Sequence, residues 1–304
     1  MKILVVGGGA IGGLYGGLLA KAGAKGSFVC RSNYKVIKEH GFDVKTALGD
    51  FNFKPEQVLK NTDDYQGVAD YVLVTTKVLP EVDFIELLKP VIKNNTTIIL
   101  LQNGIHIEND IAAAFPGIEI ISGLAFVCVS QFEPGIIDHQ DYGRLVLGVF
   151  PRGLSPKLEA IAELYRSVGL ELETTDNIVK CRWKKLVWNA PYNPLSVIGR
   201  SATTEDIMLN KAMVTVVKKV MEEVCLLADL DGCPLKETVI DNNLDATEKM
   251  TAYKTSMVLD FENGRALETE AILGNAVRFA AENKVEVPYL KFLYVSLKLI
   301  ERKG

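Results

Sequence analysis

The stretch Ile3-Leu4-Val5-Val6-Gly7-Gly8-Gly9-Ala10-Ile11-Gly12 decides the fold of the first half of the chain. A β-branched apolar run enters a G-x-G-x-x-G loop, and a helix-like segment follows at residues 14–21. In such a unit the first glycine makes the tight turn, the second lets the backbone approach a pyrophosphate, and the third lets helix and strand pack closely. The phosphates then bind free N–H groups at the helix N-terminus. We therefore predict a dinucleotide site formed by Gly7, Gly8, Gly9, Ala10, Ile11 and Gly12.

The competing interpretations of this stretch are a glycine-rich turn and a signal peptide, since Lys2 precedes an apolar run. A signal peptide needs a cleavable small-residue site, whereas this segment is broken by glycines and continues into a second strand. The strand before the glycines and the helix after them favour the dinucleotide site.

The end of the second strand indicates which dinucleotide binds. Residues 27–30 form that strand, and Arg31-Ser32-Asn33 follow it, where an NAD site would place Asp or Glu for the ribose 2′-hydroxyl. A guanidinium can instead form paired hydrogen bonds to the oxygens of a 2′-phosphate. A solvated arginine in a turn is the alternative. We predict NADP(H) as the cofactor, with Arg31 at its 2′-phosphate.

Composition fits a cytoplasmic enzyme with a small-molecule substrate. The chain has 304 residues, 48% hydrophobic and 24% charged, with a net charge of −4, which argues against nucleic acid or an anionic membrane as partner. Five scattered cysteines indicate reduced thiols, and three isolated histidines make a metal site improbable. No apolar run reaches the roughly 18 residues of a membrane span. Composition leaves the oligomeric state open, as a monomer or a homodimer.

The order of predicted elements indicates two domains. Strands and helices alternate in the first half, and helical periodicity alone remains beyond Asp176. The expected strands are 71–76, 97–101, 126–132, 136–139, 144–150 and 170–174, with helices at 81–92 and 158–168 between them. The later helices are expected at 178–199, 205–230, 236–262 and 266–283, with a further one from Pro288. The predicted fold is an α/β Rossmann-type N-terminal domain, residues 1–175, which binds NADP, followed by an all-α domain, residues 176–304, for substrate binding and catalysis.

Ligand chemistry is expected at the carboxyl ends of the parallel strands. Strand 71–76 ends in Lys77, which would reach the cofactor phosphates or a substrate carboxylate. Strand 97–101 ends in Gln102-Asn103-Gly104, and Asn103 would bind substrate or the nicotinamide ribose. Ordinary turn chemistry explains each residue equally well when it is taken alone. Their shared position at one edge of the sheet favours a site.

A polar stripe marks the first helix of the second domain. Lys185, Asn189 and Asn193 are spaced at i, i+4 and i+8 within a heavily apolar segment. A solvated stripe is the alternative, but Asn disfavours helix interiors, and buried amides are costly unless they have partners. Pro191 and Pro194 also interrupt this segment, which exposes carbonyls and often accompanies a bend. We predict that the stripe faces a cleft.

The whole chain resembles the ketopantoate reductases (2-dehydropantoate 2-reductases). The similarity lies in the glycine loop and in the blocks 74–77, 102–104, 183–189, 193–195 and 256–260, together with Gly264-Arg265 and Glu268. The resemblance implies NADPH-dependent reduction of a 2-oxo acid to D-pantoate, on the route to pantothenate and coenzyme A.

Residue roles follow from the same resemblance. Lys185 matches the general acid, and Glu268 matches a catalytic and substrate-binding carboxylate. The other matches to substrate-binding residues are Asn103, Asn189, Asn193 and Ser256, and those to cofactor-binding residues are Lys77 and Asn103. Glu268 would also suit a plain position at a helix N-terminus.

At Tyr253, Thr203 and Pro191 this sequence departs from the family pattern. None of them removes a catalytic group, but Tyr253 is large enough to reshape a small pocket. Three alternatives therefore stay open: a reductase of another 2-oxo acid, an opine-type reductase, and a non-catalytic NADP(H)-binding sensor, because fold alone does not dictate activity. Retention of Lys185 together with Glu268 favours an enzyme.

Overall fold

The computed structural model describes residues 1–302 of the chain. By their internal contacts these residues form two compact units. The first comprises Met1–Lys77, Val82–Gln102 and Ile107–Ile178. The second comprises Val78–Glu81, Asn103–His106 and the chain from Val179 onward. Two short loops from the first half of the sequence therefore pack with the helical second half.

Residues 1–302 contain ten strands, which lie in the first unit and belong to one sheet. They are β1 Lys2–Val6, β2 Lys25–Val29, β3 Phe42–Thr46, β4 Phe51–Phe53, β5 Val58–Leu59, β6 Tyr71–Val74, β7 Thr97–Leu100, β8 Ile120–Glu133, β9 Ile136–Val149 and β10 Leu172–Thr174. Their order is β4-β3-β9-β8-β7-β6-β1-β2-β5, with β10 also paired to β9.

The sheet has a parallel half and a mixed half. Strands β5, β2, β1, β6, β7 and β8 pair in parallel, and β9 then pairs antiparallel to β8. The predicted Pro-Gly hairpin is the β8–β9 turn, and both strands have 14 residues. Strand β8 begins six residues before the predicted segment 126–132, and the segments predicted separately at 136–139 and 144–150 form the single strand β9. Chain order reverses beside β1, because β2 and β6 flank it. Ligands bind at the carboxyl ends of strands at such a reversal, which is where the glycine loop begins.

Helices follow the strands in the first unit and make up most of the second. After a π-helical turn at Gly12–Gly16 they are α1 Gly17–Lys21, α2 Tyr34–His40, α3 Phe84–Leu88, α4 Asn109–Ala114, α5 Pro156–Ser167, α6 Ile178–Ile198, α7 Thr204–Leu209, α8 Lys211–Leu230, α9 Val239–Glu248, α10 Ser256–Glu262, α11 Asn275–Glu282 and α12 Pro288–Glu301. A second π-helical turn, Glu270–Gly274, precedes α11. The Rossmann-type fold followed by a helical domain is confirmed.

Capping residues divide two of the predicted long helices. Asn210 separates α7 from α8, because its side chain accepts hydrogen bonds from the N–H groups of Ala212 and Met213. Thr255 begins α10 in the same way, with its hydroxyl bound to the N–H of Val258. The predicted helix at 81–92 is shortened to α3, which Asp83 caps and which ends just before Lys89 and Pro90.

Apolar side chains fill both faces of the sheet and the interior of the helical unit. On one face Leu14, Phe28 and Tyr165 are fully buried, and on the other Leu4, Val72 and Ile98 are. Trp183 on α6 lies in the separate core of the second unit. Within residues 1–302, no helix is both long and apolar enough to span a membrane.

Candidate functional site

The glycine loop has the geometry that its sequence predicts. Gly7 has a φ of +118°, a left-handed conformation that favours glycine. A Cβ on Gly12 would lie only 1.8 Å from the Gly7 carbonyl oxygen, so only glycine permits this approach of helix to strand. A Cβ on Gly9 would meet nothing within 4 Å. The loop is therefore tightly packed against β1 and β6 at Gly7 and Gly12 but open at Gly9, the position assigned to pyrophosphate approach.

Side chains from distant segments hold this loop in place. The Thr75 hydroxyl donates to the Gly7 carbonyl oxygen over 2.9 Å. The amides of Asn33 and Gln131 both donate to the Gly8 carbonyl oxygen, over 3.5 and 3.4 Å, and Asn33 also donates to the Gln131 side-chain oxygen over 2.8 Å. Gln131 lies 98 residues beyond Asn33, on β8, and no local pattern in the sequence marks it as part of this loop.

Arg31 and Ser32 follow β2 and are exposed to solvent beside this loop. Asn33, the third residue of the predicted phosphate-binding segment, is bound to the loop itself. A cationic and hydroxylic pair thus stands free of the core at the end of the second strand. These residues suit a 2′-phosphate.

The two strand-end residues fall in different units. Lys77 is half-buried and is the last residue of the first unit after β6. Nearby, the Gln102 side-chain amide donates to the Thr76 carbonyl oxygen over 2.6 Å and joins the ends of β6 and β7. Asn103, the next residue, already packs with the helical unit. The structure thus groups Asn103, but not Lys77, with Lys185.

Lys185, Asn103 and Glu268 form one connected polar group in the second unit. The Lys185 Nζ donates to Asn103 Oδ1 over 2.9 Å. The Asn103 Nδ2 donates in turn to Glu268 Oε2 over 3.3 Å. The other oxygen of Glu268 accepts the backbone N–H of Val78 over 3.2 Å. One amide therefore connects an ammonium to a carboxylate, although the three residues lie far apart in sequence.

Glu268 also starts a helix, as the alternative interpretation expected. Its carbonyl oxygen accepts the N–H of Ile272 over 3.1 Å, at the beginning of the turn that leads into α11. Its side chain nevertheless faces Asn103 and Val78. Both features hold for the same residue.

The environment of Lys185 makes it a weaker base than an ordinary lysine. Burial, with a smaller contribution from repulsion by Arg182, lowers its pKa from 10.5 to about 8, although the Glu268 carboxylate acts in the opposite direction. A lysine with such a pKa donates a proton near neutral pH far more readily than a solvated one.

The polar stripe of α6 is buried rather than solvated. Asn189 is 8% exposed and Asn193 is 2% exposed. Pro191 and Pro194 lie inside a helix that nevertheless runs unbroken from Ile178 to Ile198. Each proline lacks the N–H that would bind the carbonyl one turn earlier, which leaves polar backbone atoms beside the amides.

Ser256, Thr203 and Tyr253 lie at or shortly before the starts of helices. Ser256 is exposed at the first position of α10. Thr203 caps α7, where it forms a reciprocal pair of hydrogen bonds with Asp206. The ring centroid of Tyr253 lies 6.2 Å from that of Trp188 on α6. Thr203 thus has a structural role, and Tyr253 lies beside the helix that carries Lys185.

Sequence reasoning missed Arg182, although its spacing was informative. It lies three residues before Lys185 on α6, is only 2% exposed and donates to the Gly104 carbonyl oxygen over 3.0 Å. The i, i+3 spacing places it on the same helix face as Lys185. Within residues 1–302, no group of three or more His, Cys, Asp or Glu side chains could hold a metal ion.

A glycine loop at the reversal point of a parallel sheet and, in a helical unit, a partly buried lysine of lowered pKa are typical of a Rossmann-type oxidoreductase. The family model "Ketopantoate reductase PanE/ApbA" matches residues 3–152, and its C-terminal counterpart matches residues 177–301. The chain belongs to the ketopantoate reductase family, and the predicted family and enzyme class are confirmed.

Individual relatives agree over the full length. A 2-dehydropantoate 2-reductase of Nostoc sp. is 36% identical over 100% of this chain and 96% of its own. The crystal structure of 2-dehydropantoate 2-reductase from Methylococcus capsulatus is 42% identical, with a TM-score of 0.94, over 100% of this chain and 97% of that one. A D-mandelate dehydrogenase solved with NADH and anilino(oxo)acetate shares the fold, with a TM-score of 0.87 at 23% identity over 100% and 99% of the two chains. A nicotinamide cofactor fits this class.

Proposed function

We propose that this protein reduces 2-dehydropantoate (ketopantoate) to D-pantoate with NADPH, in the cytoplasm and for the synthesis of pantothenate and coenzyme A. The observation that carries the proposal is the hydrogen-bonded group of Lys185, Asn103 and Glu268, with a lysine pKa of about 8. Relatives named 2-dehydropantoate 2-reductase, matched over nearly their full length, support the choice of substrate.

The glycine loop and Arg31 would hold the cofactor. Gly9 leaves space for a pyrophosphate, and the exposed Arg31 and Ser32 suit a 2′-phosphate better than a ribose hydroxyl. Lys77 would interact with the cofactor phosphates or the substrate carboxylate from the end of β6. When bound, NADPH supplies the hydride that reduces the ketone.

Lys185 is the general acid of the proposed reaction. A ketone that accepts hydride develops alkoxide charge on its oxygen, and a donor at that oxygen lowers the barrier. Asn103 holds the Lys185 ammonium through its side-chain oxygen, and Glu268 holds the Asn103 amide in that orientation. Asn189 and Asn193 offer buried amides on the same helix, and with Ser256 they would bind the carboxylate and hydroxyl of the substrate.

The second candidate function is reduction of another 2-oxo acid on the same scaffold. The observation that favours it is Tyr253, which lies against Trp188 on α6 and would change the shape of the distal substrate pocket. An opine-type reductase would need further space for an amine. A non-catalytic sensor of NADP(H) has no use for a proton donor such as Lys185.

NADPH oxidation, followed by absorbance, separates these functions when ketopantoate is compared with pyruvate, 2-oxoisovalerate and 2-oxopantolactone. We expect the highest kcat/KM for ketopantoate. Turnover of a different 2-oxo acid would keep the mechanism and replace the substrate. NADPH binding without any turnover would favour the sensor. Light scattering on the same samples decides between a monomer and a homodimer.

A further inference from the structure

The loop Asn103–His106 is fixed to the helical unit by its backbone. The N–H of Ile105 donates to the Ala271 carbonyl oxygen over 3.1 Å, and the Asn275 side-chain amide donates to the Ile105 carbonyl oxygen over 2.7 Å. Gly104 has a φ of +110°, and a Cβ there would lie 2.5 Å from the Ala271 carbonyl oxygen. The loop thus packs so closely on this unit that only glycine fits at its centre.

The last residue of the loop is held by a second set of contacts. His106 Nε2 lies 3.0 Å from Asp231 Oδ2, and the same oxygen accepts the Trp183 indole N–H over 2.7 Å. The imidazole also packs edge-on against the rings of Trp183 and Phe279. These contacts fix the His106 end of the loop. The orientation of Asn103 therefore depends on the contacts that hold the other end, at Asn103 and Gly104.

Arg182 holds the end of the loop at Asn103 and Gly104. Its guanidinium donates to the carbonyl oxygen of Gly104, the residue next to Asn103, while its backbone lies one helical turn before Lys185. One turn of α6 therefore carries both Lys185, which donates to Asn103, and Arg182, which holds the backbone next to Asn103. A shift of this anchor would move Asn103 relative to Lys185.

The choice of a charged side chain here needs an explanation. Asn275 holds the neighbouring carbonyl with an uncharged amide. Arg182 is only 2% exposed, and burying a guanidinium costs far more than burying an amide. The Gly104 carbonyl by itself does not need a charged donor, and the positive charge of Arg182 lowers the pKa of Lys185. Lys185 lies on the same face of the helix.

We propose that Arg182 is a positioning residue of the reaction: it orients Asn103 through the Gly104 carbonyl and places a fixed positive charge beside Lys185. The inference rests on the proposed function, in which Lys185 is the general acid. Arg182 on its own helix and Glu268 ahead of α11 both act on the charge of Lys185, and the loop Asn103–His106 contributes the neutral Asn103. The two charges shift the Lys185 pKa in opposite directions. Removing Arg182 should raise this pKa, and removing the charge of Glu268 should lower it.

The test uses the full chain and three variants. Arg182→Gln removes the charge but keeps an amide donor, and Arg182→Lys keeps the charge but loses the planar guanidinium. Lys184→Gln is the matched control, because it removes one positive charge from the exposed neighbouring position of the same helix. Thermal unfolding by circular dichroism verifies that each variant is folded.

Two readouts are needed. The first is kcat and KM for the 2-oxo acid as a function of pH with saturating NADPH. The second is the pKa of Lys185 from pH-dependent labelling by an amine-reactive reagent, quantified by mass spectrometry, which requires no turnover. In Arg182→Gln we expect the Lys185 pKa and the alkaline limb of kcat to rise together by about one pH unit. In Arg182→Lys we expect the limb to stay in place while kcat falls about tenfold.

An unchanged Lys185 pKa in folded Arg182→Gln would overturn the electrostatic part of the inference, as would an equal rise in Lys184→Gln. A kcat in Arg182→Lys equal to that of the parent protein would overturn the positioning part, even if Arg182→Gln failed to fold. A raised Lys185 pKa in a protein that reduces no 2-oxo acid would support the arrangement around Arg182 and refute the proposed function instead. The two ideas therefore fail separately.

Discussion

Replacing Glu268 by Gln should move the alkaline limb of the kcat profile to lower pH. In the proposed reaction Lys185 donates a proton and must be protonated, so we expect reduction to be fastest below the Lys185 pKa of about 8 and to be lost as pH rises through it. The Glu268 carboxylate stabilises the ammonium and raises that pKa. Glutamine keeps the hydrogen-bonding shape of the side chain but carries no charge, so the lysine loses its proton more easily.

The size of this shift follows from the geometry. Asn103 bridges the two groups, with hydrogen bonds of 2.9 Å to the ammonium and 3.3 Å to the carboxylate. Unit charges roughly 6–8 Å apart, at an effective dielectric constant of about 20, interact by roughly 2 kcal/mol, which is equivalent to about 1.5 pH units. Glu268 is partly exposed and therefore partly screened by water. We expect the limb to fall by about one pH unit.

The assay is kcat for 2-oxo acid reduction between about pH 6 and pH 10 at saturating NADPH, since kcat reports groups in the bound complex. Glu270→Gln is the control, because that carboxylate lies two residues away and binds Arg278, Lys298 and Tyr294 instead. A limb that stays in place in Glu268→Gln, or moves to higher pH, would show that this carboxylate does not support the protonated lysine.

Three further outcomes are expected. Lys185→Ala should lower kcat by about two to four orders of magnitude while NADPH binding, followed by fluorescence, stays nearly unchanged; equal loss of both would show that the lysine is structural. Arg31→Ala should raise the Kd of NADPH far more than that of NADH, and an equal effect on both would remove Arg31 from the phosphate site. Gly12→Ala should lower the free energy of unfolding by about 1–3 kcal/mol in urea titrations, because its Cβ would overlap the Gly7 carbonyl oxygen; unchanged stability would contradict the close packing seen here.

Local patterns in the sequence predict the features that depend on neighbouring residues. The glycine loop can be predicted because its features arise within six residues. They are the tight turn at Gly7, the open backbone at Gly9 and the close packing of helix on strand at Gly12. The burial of Asn189 and Asn193 is readable from helical spacing within an apolar segment. In each case the physical cause acts over one or two turns of chain.

Features that depend on contacts between segments far apart in the chain could not be predicted from the sequence. Strands β3, β4 and β5 are short and become visible only through their partners in the sheet. The same is true of Gln131, which lies within a predicted strand but whose contact with the glycine loop exists only in the folded sheet. Asp231 has an ordinary position after α8, and only the folded chain brings it to His106. Asn210 is a residue type that favours helix N-caps, but the apolar periodicity continues across it and predicts a single helix at 205–230.

The opposing charges around Lys185 explain why a lysine of lowered pKa suits this chemistry. Lowering the pKa from 10.5 to about 8 makes the ammonium a stronger acid by about 3 kcal/mol. If about half of that difference reaches the transition state, proton donation is faster by roughly 20-fold, while about nine-tenths of the lysine is still protonated at pH 7. Burial and Arg182 without Glu268 would lower the pKa further and deplete the protonated form. Glu268 without them would leave a weak acid. Both charges therefore set the acidity of the lysine, and Asn103 is hydrogen-bonded to Lys185 and to Glu268.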